Sequence, residues 1–329
     1  MEIFYLVLGI FLLCLGIVDL LWTTFWVDGG SGPVSRRLTT FFWMVFRKMG
    51  KKKGILLSLY GPFILTVTLF TWVLLIWAGW VFVFASDTSA LVDTRTDTPI
   101  SWINLIYYVA FTMFTMGNGD FYPQEGIFQI LTSLTTASGM LFVTIGASYI
   151  ISVLGAVSQK RSFADSVTGL GENPAEIVEK MFNGSDPREI DLILMNLSSQ
   201  VSSLTQQHKS FPLLHYYHSE KPDQAVALAM VDLDETLTLL EWGLTEDTHP
   251  TRILRVEIRS SINTYLETLN AAYIKPANQD PPLPDLNYLR NHDVPVVSDE
   301  EFRKNIKELQ PRRRKLWGAV KADAWDWPL

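Results

Sequence analysis

Apolar positions gather into three long unbroken runs in the first half of the chain and into stripes of helical spacing in the second. Ile3–Trp26 is interrupted only by Asp19, Ile55–Ala85 runs without a charge, and so does Gly126–Ser158. About 20 apolar residues span a bilayer's hydrocarbon core, so each run predicts a transmembrane helix. Ile100–Met116 is apolar but broken by polar residues and too close to the third run to cross alone. It predicts a half-helix dipping into the membrane over 101–114, with Ser101 as its N-cap. Further on, Asn173-Pro174, Ser185-Asp186-Pro187, Lys221-Pro222 and Pro250 each open a helical stripe. The prolines at 276, 281, 282, 284 and 295 predict an extended linker over 275–298, followed by a last helix from about Ser298.

Charge divides the chain in the same place. Only eight acids and eight bases lie up to Gln159; the remainder carries the whole net charge of −7. The total of 19% charged residues, with mean hydropathy +0.17, falls short of the ~25% typical of soluble proteins. The segments read as an N-terminal span (1–27), a linker (28–54), a second membrane region (55–160) and a helical cytoplasmic domain (161–274). The Pro-rich linker (275–298) and a C-terminal helix and tail (299–329) follow. A secretory signal is disfavoured, because the chain opens Met1-Glu2 with no basic residue and the run is long. Arg36, Arg37, Arg47, Lys48, Lys51, Lys52 and Lys53 lie between the first two spans, whereas Asp87, Asp93, Asp97, Asp120 and Glu125 lie between the second and third. The positive-inside rule then places the N-terminus outside, the linker and C-terminal region in the cytoplasm, and the 86–125 loop outside, in the cell membrane. Bases flanking aromatic residues over 36–53 predict an amphipathic helix against anionic lipid. Asp19, near the cytoplasmic end of its span, is expected to snorkel to water or pair with a linker arginine.

The informative stretch is Thr115-Met116-Gly117-Asn118-Gly119-Asp120, followed by Tyr122-Pro123. Two glycines one residue apart permit backbone of alternating φ sign, which turns successive carbonyls the same way. Non-helical backbone at membrane depth is tolerated only inside protein or along a watery pore, where carbonyl rings from several copies can replace an ion's hydration shell. The segment resembles the T-V-G-Y-G-D filter of the tetrameric potassium-channel superfamily, matching at Thr115, Gly117, Gly119 and Asp120 and departing at Met116 and Asn118. The resemblance covers an outer helix (55–85), pore helix (101–114), filter (115–120) and inner helix (126–158). It implies an all-α membrane protein: three transmembrane helices plus a re-entrant pore helix and filter per subunit, a homotetrameric pore and a helical cytoplasmic domain. Permeant K⁺ would meet the carbonyls of Thr115, Met116, Gly117, Asn118 and Gly119, with Asp120, Tyr107 and Tyr108 supporting the loop. Gly139 falls where relatives commonly carry a hinge glycine; Gly146 and Gly155 could serve equally, and close helix packing explains all three as well. Family spacing would aim Val143, Ala147 and Ile151 at the pore axis. Asn118 lacks the aromatic bulk that braces the filter in relatives, so the expected function is a potassium-permeable channel less selective than a T-V-G-Y-G channel. A nonselective Na⁺/K⁺ channel and a non-conducting sensor with a vestigial loop are the alternatives.

The remaining motifs are weak. Spans without arginine exclude a voltage sensor, and Gly169-x-Gly171 without a preceding strand does not make a nucleotide fold. His215 and His218 have metal-sharing spacing with only Glu220 nearby. Asp232, Asp234 and Glu235 lack a calcium loop and read as a solvated helix face. Arg312, Arg313, Arg314 and Lys315 could touch anionic lipid or an acidic neighbour. An acidic tail gives no footprint for nucleic acid. A single cysteine, Cys14, excludes disulfide and Cys-rich zinc chemistry. No cofactor and no enzyme chemistry are expected.

Overall fold

A computed structural model describes residues 2–27, 30–49, 57–184, 187–245, 251–271 and 274–328. The chain separates into two compact units, Met1–Lys48 with Pro62–Val153, and Met49–Gly61 with Leu154–Leu329. The expected positions Lys51–Lys53, Ser185-Asp186 and Pro250 lie outside the described residues.

The first unit contains α1 (Ile3–Phe25), α2 (Pro33–Met49), most of α3 (Tyr60–Ala85), β1 (Leu91–Asp93), α4 (Trp102–Met113), β2 (Phe121–Pro123) and the first part of α5 (Ile127–Thr168). α1, α3 and α5 are each long and apolar enough to cross a membrane. α1 runs antiparallel to α3 through small residues. A Cβ on Gly9 would stand 2.7 Å from the Val83 nitrogen, one on Gly79 2.7 Å from Leu13, and one on Gly16 3.0 Å from Leu75. Lipid supplies no hydrophobic drive between spans, so such close backbone approach is how they gain dispersion contact.

The Asp19 expectation is corrected by this unit. Its carboxylate is fully buried and caps α2 from outside: Val34 N–H donates to Oδ1 at 2.7 Å and Ser35 N–H at 3.2 Å. The Ser35 hydroxyl and the Trp72 indole donate to Oδ2 at 2.5 and 2.8 Å. Four neutral donors and the positive end of the α2 dipole stand where an arginine or water was expected. α2 bears on α3 through Phe42 and Phe46, each about 5 Å from the Phe63 ring, while Phe41 and Met44 are exposed.

The second unit is a helical domain. α5 continues as helix to Thr168, ten residues past the predicted end of its apolar run. α6 (Pro174–Gly184), α7 (Pro187–Ser210), α8 (Val226–Trp242), α9 (Arg252–Ala271), α10 (Leu286–Asn291), α11 (Asp299–Asn305) and α12 (Gln310–Ala322) follow. α8 is the hub, with almost every residue from Val226 to Leu240 buried. The proline-rich segment is packed rather than free: Leu286, Leu289 and Val294 join the core, and Ala277 N–H donates to the Arg314 carbonyl at 2.9 Å. A Cβ on Gly318 would lie 2.2 Å from the Lys275 oxygen, so α12 meets this segment at backbone contact. Proline supplies no N–H to satisfy, and the freed carbonyls of Pro281 and Pro282 accept from Arg313.

Candidate functional site

The Ser101 hydroxyl starts α4 by accepting from Asn104 N–H at 3.3 Å. The helix buries Leu105, Tyr108, Val109, Phe111, Thr112 and Met113. Tyr108 lies edge-on to Phe84, 5.7 Å between ring centres, and its hydroxyl is 2.8 Å from Thr132 Oγ1. Gly139 of α5 sits on the end of α4, where an added Cβ would come within 1.9 Å of the Met113 carbonyl oxygen. The geometry therefore favours close packing for Gly139. Gly146 has ordinary room and Gly155 open space.

After α4 the chain makes one tight closure, Thr115 N–H to the Thr112 carbonyl at 3.1 Å and Met116 N–H to the Phe111 carbonyl at 2.8 Å. It then alternates handedness. Thr115, Gly117 and Gly119 have φ of +60, +58 and +75°, whereas Met116 and Asn118 between them do not enter positive φ. No atom crowds either glycine, so it is the φ sign that demands glycine there. A β-branched threonine at +60° is strained backbone. Residues 114–119 are exposed in the single chain, and so are Val143, Ala147 and Ile151 on α5. Of the two tyrosines expected to support the loop, Tyr107 receives a hydrogen bond from the Asn118 amide; Tyr108 is engaged with Thr132 instead.

Thr94 was not legible as part of this site. Its hydroxyl lies 2.8 Å from both the Gly119 and Asp120 carbonyl oxygens, 25 and 26 residues away in sequence. The two strands that bring it there, Leu91–Asp93 and Phe121–Pro123, are three residues each, too short to predict a strand pair.

In the second unit the acidic trio overturns the solvated-face expectation. Asp232, Asp234 and Glu235 are 6, 0 and 2% exposed. Asp234 Oδ1 accepts from Arg259 at 2.8 Å and from Arg312 at 2.6 and 2.8 Å; Glu235 Oε1 accepts from Arg313 at 2.6 Å. The 312–314 run thus meets acidic neighbours, Arg314 pairing with Asp280 at 2.5 Å. Burial alone would raise the Asp234 carboxyl, but its two guanidiniums hold it below the usual range. Burial, aided by Glu235, pushes Asp232 up to about 7; burial also lifts Glu235 to about 7 against the pull of Arg313. An all-round apolar stretch from Ala225 to Leu240 was the available sign that any acid within it would be buried.

The two histidines both lie near Asp323 without forming a metal site. His218 lies 3.3 Å from Asp323. His215 lines a cavity of about 20 Å³ with Lys160, His208, Tyr265 and Asp323, room for a single water. Burial depresses His208 to about 3, with Lys160 adding to it, and His215 to about 4. No group of three metal-ligating side chains occurs among the described residues.

A family described as "Ion channel" matches residues 64–156, the stretch that contains α4, the alternating loop and most of the helices around it. An uncharacterized membrane protein of Bacillus subtilis (strain 168), YdjJ, is 41% identical over 325 residues, covering 99% of this chain and 95% of that protein. No solved structure matches.

Proposed function

The chain belongs to the membrane-protein family of YdjJ and carries an ion-channel domain, and from that premise we propose that it is a passive cation channel, potassium among its permeant ions, built as a homotetramer around the 115–119 loop. The observation that carries this reading is the alternation of backbone hand at Thr115, Gly117 and Gly119. Such a ribbon aims successive carbonyls to one side, and four copies around an axis replace an ion's water shell. One subunit supplies one loop, so a single copy cannot enclose an ion. The C-terminal, negative end of α4 points its dipole where a cation would wait. Val143, Ala147 and Ile151, exposed in the single chain, supply the apolar constriction below the filter.

Selectivity for K⁺ over Na⁺ is weaker than in a T-V-G-Y-G channel. Asn118 braces the loop with one hydrogen bond to Tyr107 where relatives carry an aromatic ring, and Met116 is flexible where they carry stiff valine. The protein lies in the cell membrane with its N-terminus outside and its helical domain in the cytoplasm. α2 lies on anionic lipid, Phe41 and Met44 toward the acyl chains and Arg37, on the same stripe of the helix, reaching past them to the headgroups.

Purified full-length protein in liposomes tests the reading by reversal potential under bi-ionic K⁺/Na⁺ conditions. Conduction with a ratio below the full potassium limit is expected, Asn118→Tyr raises it, and Gly119→Ala abolishes flux. Liposomes tight to alkali cations under every trigger would overturn it.

A further inference from the structure

The outer end of the filter loop is tied to the strand pair in front of it. β1 and β2 are antiparallel with Asp93 opposite Phe121, which sets the residue after β1 against the residue before β2. Thr94 N–H accordingly donates to the Asp120 carbonyl at 3.0 Å. Its hydroxyl, with one proton to give, lies 2.8 Å from the carbonyl oxygens of both Gly119 and Asp120. The turn that presents Thr94 is itself fastened. Asp93 Oδ1 accepts from the N–H groups of Arg95 and Thr96 at 2.8 and 3.2 Å, Asp93 N–H donates to the Thr98 carbonyl at 3.0 Å, and Tyr122 donates to Asp97 at 2.5 Å.

A carbonyl drawn to a hydroxyl on the strand side is aimed away from the face its neighbours share, and the proton it accepts weakens it as a ligand for a cation. We propose that Thr94 is a filter-positioning residue: its hydroxyl holds the Gly119 carbonyl out of the ion path, so the coordinating rings end at Asn118. The proposal rests on the channel reading above and removes Gly119 from its set of ion ligands. It also supplies a brace from the extracellular strap where position 118 offers only a short amide.

The sequence contains one Gly-Asn and one Gly-Asp pair, at 117–118 and 119–120, so ¹³C-carbonyl glycine with ¹⁵N-asparagine or ¹⁵N-aspartate marks each carbonyl uniquely in the full-length protein in liposomes. Exchange of K⁺ for Na⁺ should move the Gly117 signal and leave Gly119 in place. Thr94→Val should move Gly119 and lower the K⁺/Na⁺ permeability ratio about three- to tenfold, the weight of one hydrogen bond. Thr94→Ser, which keeps the hydroxyl, should restore both. A Gly119 carbonyl that follows the ion as Gly117 does, or conduction and a Gly119 signal unmoved by Thr94→Val, overturns the positioning role alone. Tight liposomes with Gly117 indifferent to the ion overturn the channel reading, and the positioning role falls with it.

Discussion

The first unit and the second each bury acids, and they satisfy them by different chemistry. Asp19, on a helix that crosses lipid, has backbone amides, a serine and an indole. Asp234, in the tail, has two arginines. A guanidinium brought into hydrocarbon carries its own desolvation cost, whereas a helix N-terminus supplies positive potential without a net charge. The contrast extends to packing: the spans meet at glycines, and the tail closes on a largely buried hub helix. Lipid removes the hydrophobic drive between helices, so the membrane unit holds by backbone proximity and the tail by apolar burial around ion pairs.

The largest expected effect breaks the tail side of this contrast. Asp234→Ala strands two arginines in a largely buried site and should destabilise the tail by about 3–5 kcal/mol, read as early unfolding by tryptophan fluorescence of the detergent-solubilised protein. Asp19→Ala should cost about 2–3 kcal/mol through its stranded donors. Asp19→Asn, which keeps an acceptor, should cost about 1 kcal/mol. Faster hydrogen exchange at the Val34 and Ser35 amides locates the change, and unaltered exchange there would refute the capping role. The packing contrast is sharpened by two glycines of one helix. Gly139→Ala should cost about 1–3 kcal/mol, since the obstacle is a backbone oxygen, whereas Gly146→Ala should gain roughly 0.5–1 kcal/mol from helix propensity.

The tail's buried acids and histidines differ in how they respond to pH. His208 and His215 stay neutral when folded and take up protons when unfolded, so as pH falls from 6.5 toward 4 they remove stability. Asp232 and Glu235 keep protons in the fold that the unfolded chain has lost, so as pH rises from about 4 to 7 they remove it in the other direction. The two pulls offset between pH 4.5 and 6.5 in the intact protein. Asp232→Asn should make stability rise with pH in that window, and His208→Gln should make it fall, each by up to about 1.4 kcal/mol per pH unit. Slopes of the same sign in both variants would contradict the opposition.

The three long apolar helices, the short apolar helix and the glycine loop were legible because their constraints are local: a bilayer's thickness dictates a length, and positive φ at 117 and 119 dictates glycine. Most tail helices were legible for a similar reason, as proline and asparagine mark their starts wherever they fall. The partners of Asp19 were not, since Ser35 and Trp72 lie 16 and 53 residues away and nothing in a linear pattern says which donors a buried carboxylate will meet. The acid trio reads as a solvated face from its charge alone; the apolar residues around it on α8 are what bury it.

Sequence alone determined which segments enter lipid, which end of the spans is basic, and where carbonyls can turn to a common side. Tertiary structure decided that Gly139 is a contact, that 275–298 belongs to the tail core, that Arg312 and Arg313 face inward, and that Thr94 reaches the carbonyls of Gly119 and Asp120. The first set follows from the free energy of each residue in its own solvent and its own φ; the second follows from which distant groups the fold brings within bonding distance.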